Sequence, residues 1–389
     1  MHKRVLGTSV AAATFAAMTL AACGSSGVNN GASSGSSQSS GSGAKSDPKG
    51  PIKVDVIAPF SGAEGYLGAP TINGLELALK DIGGKIDGRS VQLVKADDQC
   101  SPANAVQLVR KISSESSVSA VFGPICSGSM AAVQKTMARD QIVHVTNGYG
   151  ATLTTVGDKF IFVGVANNNQ QVQALKPFVA AQHATKVALV QGDDGYSQQL
   201  AGSEKALLKQ MHIKVAYDGT FQDTATDYSG QISGIKSSGA QLVMVAAYES
   251  NTGAFLKQLR QEGVNLPVGA PSGCDPAATS VAGTNATKVG FALNFCPTYP
   301  AFRSFTNAYK AQYHSTPDDA VAGAYTGGIA LFKGLEESHG QGGVALQKAM
   351  LALNYHSKLG NLSYTSTGSL KNPEIVTGQL INGTARFTK

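Results

Sequence analysis

The chain has 389 residues, with 31 Lys+Arg against 25 Asp+Glu and a formal charge of +6. A hydrophobic share of 42% can build a core, which excludes global disorder, and this length suits two domains of about 100–200 residues each. Charged residues are only 14%, below the usual ~25%, and dense Lys/Arg blocks are lacking, so no nucleic-acid partner is expected.

The first 22 residues predict a lipoprotein signal peptide. Lys3 and Arg4 form a positive start, Val5 to Leu20 a weakly apolar stretch, and small residues follow. A permanent membrane-spanning helix is the weaker reading, because the stretch is Ala/Thr/Ser-rich and barely long enough to span. Leu20-Ala21-Ala22-Cys23 before Gly24 resembles a bacterial lipobox. The resemblance implies cleavage before Cys23 and acylation of its thiol, hence an anchor at the extracytoplasmic face of the cell membrane. Residues 23–50 read as a flexible tether, since residues 24–50 hold ten Ser, seven Gly and no aromatic. Gly31-Ala32-Ser33-Ser34-Gly35 matches the G-x-S-x-G hydrolase turn, but that turn needs a strand before it and a helix after it. A tether supplies neither, so the match is rejected.

From residue 51 onward, strand-length apolar runs alternate with helix-length amphipathic runs. Strands are predicted at 53–60, 90–95, 118–122, 142–146 and 160–165, with helices at 74–82, 103–112 and 128–138 between them. The rhythm restarts with helices at 172–182, 198–211, 228–237 and 252–261 and strands at 186–191, 214–217, 241–246, 266–269 and 289–295. A long helical region at 301–338, broken near Pro317, precedes a helix at 344–353 and strands near 362–364 and 375–381. Two such series predict an α/β protein of two doubly wound parallel-sheet lobes. Ligands of such sheets sit outside the carboxyl ends of the strands.

The strand-end loops carry a resemblance. Phe60-Ser61-Gly62, the segment Asp97-Asp98-Gln99-Cys100-Ser101-Pro102, Gly123-Pro124-Ile125-Cys126-Ser127 and Asp194-Gly195-Tyr196 occur in this order. In these loops the chain resembles the type I periplasmic solute-binding proteins of ABC transporters, nearest the leucine/isoleucine/valine-binding group, over residues 51–389. The resemblance implies two lobes joined by three crossing strands, closing on a ligand like a flytrap. It implies lobe 1 at 51–166 and 298–353 and lobe 2 at 167–297 and 354–389. It also resolves the odd cysteine count. With Cys23 acylated, four remain, which by counting alone allow three pairings; the family pattern implies Cys100–Cys126, leaving Cys274–Cys296. A metal site is the rival, unsupported by any C-x-x-C or His-rich spacing.

Ser127 is the first candidate for ligand contact. A serine at a helix start is an ordinary cap, but free N–H groups there also attract a carboxylate, and the family uses such a serine for that purpose. Thr146, Asn147, Gly148 and Tyr149 follow the fourth strand and form either a plain turn or, as the resemblance implies, the loop that holds the ligand amino group. Tyr196 and Tyr248 end second-lobe strands, where packing and ligand closure are both open. Tyr66 is a weaker candidate from lobe 1. Family members that bind amino acids carry an acidic residue where this chain has Pro271 or Ser272; Glu249 or Asp275 could replace it, or both could be solvated. Ligand specificity is therefore not carried over.

The resemblance implies a monomeric, lipid-anchored substrate-binding protein that hands a small polar ligand to ABC permease subunits. The ligand would be branched-chain amino acid-like, an amide or a carboxylate. An extracytoplasmic sensor on the same fold is the alternative. No cofactor, metal or enzymatic activity is expected: the folded part has no hydrolase turn, metalloprotease motif or P-loop. His144, inside a strand, reads as a structural histidine.

Overall fold

The computed structural model describes residues 50–388 except Ser116. The predicted signal peptide, Cys23 and nearly all of the predicted tether lie outside the described residues.

Among the described residues fifteen strands form two large sheets and one hairpin. Strands β1 (Ile52–Ala58), β2 (Lys85–Ile86), β3 (Arg89–Asp97), β4 (Val118–Phe122), β5 (His144–Thr146) and β6 (Ile161–Val163) make the first sheet, in the order β2-β3-β1-β4-β5-β6. All pairs in it are parallel except β2 with β3. Strands β7 (Lys186–Gly192), β8 (Lys214–Phe221), β9 (Leu242–Ala246), β10 (Val268–Gly269) and β11 (Val289–Leu293) make the parallel part of the second sheet. After the hairpin β12 (Tyr355–Ser357) and β13 (Gly360–Leu362), β14 (Val376–Ile381) and β15 (Thr384–Phe387) extend the second sheet antiparallel, in the order β15-β14-β11-β10-β9-β7-β8. The inner strands β4, β9 and β11 are buried at every position, as strands covered on both faces must be.

Helices α1 (Gly68–Asp81), α2 (Pro102–Ser114) and α3 (Ser127–Arg139) follow strands of the first sheet. Helices α4 (Asn168–Ala181), α5 (Gly195–Gln210), α6 (Ser229–Ser238), α7 (Glu249–Gln261) and α8 (Pro276–Ala282) belong to the second. Helices α9 (Arg303–Tyr313), α10 (Asp319–Glu337) and α11 (Gly343–Ala352) follow β11. Local sequence sets the starts. Ser101 caps α2 through the Asn104 N–H at 3.4 Å, with Pro102 behind it. Asn167 and Gln170 form a capping box on α4. The break near Pro317 separates α9 from α10. Helix α1 starts two turns before the predicted 74, and it packs on α10 so closely that a Cβ at Gly74 would meet the Val321 carbonyl at 2.4 Å.

The chain passes between the sheets three times: after β6, after β11, and before β14. The tail divides between them. Ser369 bridges to Val163 of the first sheet, and the β12–β13 hairpin lies against α10. Of residues 354–389, expected as one piece of lobe 2, only β14 and β15 join the second sheet, because 363–370 adds to the free edge of β6. Among the described residues no helix is long and apolar enough to cross a membrane.

Candidate ligand-binding site

The carboxyl ends of both sheets open on one cavity of about 520 Å³, its mouth included. The first sheet's lobe contributes Tyr66, Ser127, Asn147 and Tyr149, and the second contributes Tyr196, Tyr248, Glu249 and Asp275. All of these are residues singled out in the sequence. Thr146 and Gly148 are not part of the lining. The buried Thr146 hydroxyl donates to the Pro124 carbonyl at 2.7 Å and accepts from the Gly148 N–H at 2.9 Å. Both brace the turn that presents Asn147 and Tyr149.

Ser127 is the first residue of α3, whose N-terminus no side chain caps. It is buried, and its Oγ accepts from the Gly150 N–H at 3.1 Å. That bond ties the fourth-strand loop to the helix start and leaves the hydroxyl proton for another acceptor. The Cys100–Cys126 disulfide, with Cα atoms 5.4 Å apart, holds this helix start beside the β3–α2 loop. Cys274 pairs with Cys296 at a Cα separation of 6.0 Å. Across the cavity, Gly195 opens α5. A Cβ there would lie 2.9 Å from the Gly128 Cα, so the two helix starts meet backbone to backbone.

The tyrosines form a continuous wall. Ring centroids of Tyr149 and Tyr196 are 6.0 Å apart, and those of Tyr196 and Tyr248 are 4.8 Å apart. Tyr66 donates to Glu249 Oε2 at 3.2 Å, a bond from one lobe to the other. Burial raises the Tyr196 and Tyr248 phenols well above their ordinary range, reinforced by nearby carboxylates, so both are neutral donors.

Helix starts bring the carboxylates. Asp194 caps α5 through the N–H groups of Tyr196 and Ser197 at 2.7 and 3.0 Å. Asp275 caps α8 through Ala277 N–H at 2.7 Å, and its other oxygen accepts from the Asp319 N–H at 2.9 Å. Asp318 caps α10 through Val321 N–H at 2.9 Å. Cys126, expected only as a disulfide partner, also lines the cavity, and Leu67, Ile125, Asp318, Asp319 and Ala320 complete the lining without having been picked out as contacts from the sequence. Pro317-Asp318-Asp319 before an apolar run is a helix-start signature, and it was the available signal. Pro271 and Ser272 stay out of the lining.

Burial dominates the acid chemistry. It pushes Glu249 up to about 7 against the Tyr66 hydrogen bond. It lifts Asp319 to about 8 and Asp318 to about 6, each opposed by backbone N–H groups. Glu64, behind Tyr66, rises to about 9 through burial and then the charges of Asp223 and Glu249. Asp275 lies well above the usual carboxylate range for the same reason. Away from the cavity, buried His144 stands 2.9 Å from the Ile142 carbonyl through Nδ1 and 2.9 Å from Asp158 Oδ2 through Nε2. Among the described residues no group of His, Cys, Asp and Glu is arranged to hold a metal.

Two parallel-sheet lobes joined by three crossings, with a cavity walled by both, define a two-lobed solute receptor. The chain belongs to the periplasmic binding protein family, whose model matches residues 51–377. A leucine-, isoleucine-, valine-, threonine- and alanine-binding protein of Pseudomonas aeruginosa is 25% identical over 329 residues, 82% of this chain and 87% of the relative. A leucine binding protein from Thermotoga maritima shares the fold at a TM-score of 0.78 and 20% identity, over 87% of this chain and 97% of its own. An ABC transporter solute binding protein from R. palustris, solved with benzoate, does so at 0.79 and 21% identity, over 87% and 96%.

Proposed function

We propose that this chain is the substrate-binding protein of an ABC importer, anchored at the extracytoplasmic face of the cell membrane through acylated Cys23. It takes a small polar ligand between lobes near the limits read from the sequence, with 355–370 reassigned to lobe 1, and presents it to permease subunits. The observation that carries this reading is the cavity itself, to which both lobes contribute polar and aromatic side chains. Relatives named for aliphatic amino acids, and one solved with benzoate, support a ligand of that size. Binding alone is needed: ligand contacts with both lobes favour the closed arrangement over the open one.

A thermal-shift screen tests the reading. A ligand present at a hundredfold excess over Kd stabilises the folded state by about 2.7 kcal/mol. Amino acids, amides, carboxylates and amines are the panel. A clear rise in Tm with one class, lost in Ser127→Ala and Tyr196→Ala, is the expected result. A flat response across the panel rejects it.

A further inference from the structure

The cavity is lined by acids that no basic side chain in its walls partners. Glu249, Asp275, Asp318 and Asp319 line it, and among the described residues no lysine, arginine or histidine does. Asp275 and Asp318 are engaged as helix caps, where the positive end of a helix offsets a carboxylate. Asp319 is different: it is 3% exposed, and its Oδ1 has no hydrogen-bond partner. Asn147, 5% exposed, likewise leaves its Oδ1 without a donor. Glu249 is 6% exposed and receives the Tyr66 hydroxyl on one oxygen. Buried acceptors facing a cavity demand donors from what enters it.

The tyrosine wall points the same way. Phenol faces attract cations, most strongly when water is displaced. The Tyr149–Tyr196–Tyr248 series offers such faces beside Glu249. A zwitterion brings one positive charge with one negative. Its carboxylate would add a further anion to a lining that already holds four acids.

Resting on the reading of this cavity as a small-ligand site, we propose that its ligand is a small organic cation. It is an aliphatic amine or alkylated ammonium with net positive charge, seated between Glu249, Asp319, Asn147 and the tyrosine wall. The groups facing Glu249 are acids and a phenol: Glu64 and Tyr66 from the loop after β1, Asp194 at α5, and Asp318 at α10. Asp275 also bears on Glu249, and its carboxylate accepts from the backbone N–H of Asp319. A cation entering this surround displaces the protons that burial holds on Glu249 and Asp319, so it binds more tightly as pH rises from 6 to 8.

Titration calorimetry of the full-length chain with putrescine, agmatine and choline, and with leucine and benzoate as contrasts, tests this. At pH 8 at least one of the three cations binds, and Glu249→Gln or Asp319→Asn each weakens it by about tenfold or more. Binding releases protons, read as heat that varies with the ionisation enthalpy of the buffer. Leucine or benzoate binding without any cation overturns the cation assignment and leaves the ligand site standing. No binding by any compound overturns both. Cation affinity that both variants leave unchanged overturns the assignment. If neither variant folds, wild-type cation affinity that fails to rise between pH 6 and 8 does the same.

Discussion

Helices α3 and α10 both belong to the lobe of the first sheet, and both start at the cavity, yet their starts are built in opposite ways. Helix α10 opens with Asp318 and Asp319, and Asp318 caps it from within. Helix α3 opens with Cys126 and Ser127 and has no side-chain cap. The first end brings its own acid, and the second leaves its N–H groups without any side-chain cap. Over the whole sequence the chain is positive, so the sign of a small cavity is set by which helix ends carry acids and not by the formal charge of +6.

The largest effect is expected from making the two ends alike. Ser127→Asp places a carboxylate on the open end. A ligand bearing a carboxylate then loses about a hundredfold in affinity, the scale of like charges in contact, while a plain amine is retained. Equal losses for both kinds, measured by calorimetry, would show that the α3 end does not discriminate by charge. Next in size is removal of the staple. Cys100→Ser with Cys126→Ser lowers stability by about 2–4 kcal/mol in denaturant titration. It also raises amide exchange at the start of α3 while leaving the start of α10 protected. Uniform exchange across both helices would remove the special standing of the stapled end.

Removing the internal anion is a smaller change. Asp318→Ala costs about 1 kcal/mol, the usual value of a lost cap, read as a lower denaturation midpoint. No loss would mean that the α10 end is held by packing alone. The smallest effect is in the pH dependence of the empty protein. Burial raises Glu249 to about 7 and Asp319 to about 8, far above an ordinary carboxylate. The folded state therefore holds protons that the unfolded chain releases. That stabilisation is complete below about pH 4 and is lost as pH climbs through 7 and 8. Tm should fall by a few degrees between pH 5 and 8, and Asp319→Asn should flatten the upper part of the fall. A wild-type Tm that holds level across this range would count against protonated acids in the empty cavity.

Much of this was legible in the sequence because it is written in local signals. Buried parallel strands read as apolar runs, and Ser101-Pro102 and Asp194-Gly195 mark helix starts. The loops at Ser127, Asn147, Tyr196 and Glu249 follow strand ends, where the fold class puts ligands. Asp318 and Asp319 were missed because their helix does not follow the strand-end pattern of its own lobe. It enters after the second crossing, and only packing of α10 on α1 brings its start to the cavity. Thr146 was read as a contact from its place in the loop, but the turn consumes its hydroxyl. The bridge from Ser369 to Val163 depends on a free sheet edge, which no local pattern reports.

Gly128 and Gly195 meet with no side chain between them, so the two helix starts already stand about as close as their backbones allow. A methyl group on Gly195 would lie 2.9 Å from the Gly128 Cα, closer than a Cβ tolerates, and would have to push the two helix starts apart. The approach of the two lobes at this point is therefore written in two missing side chains.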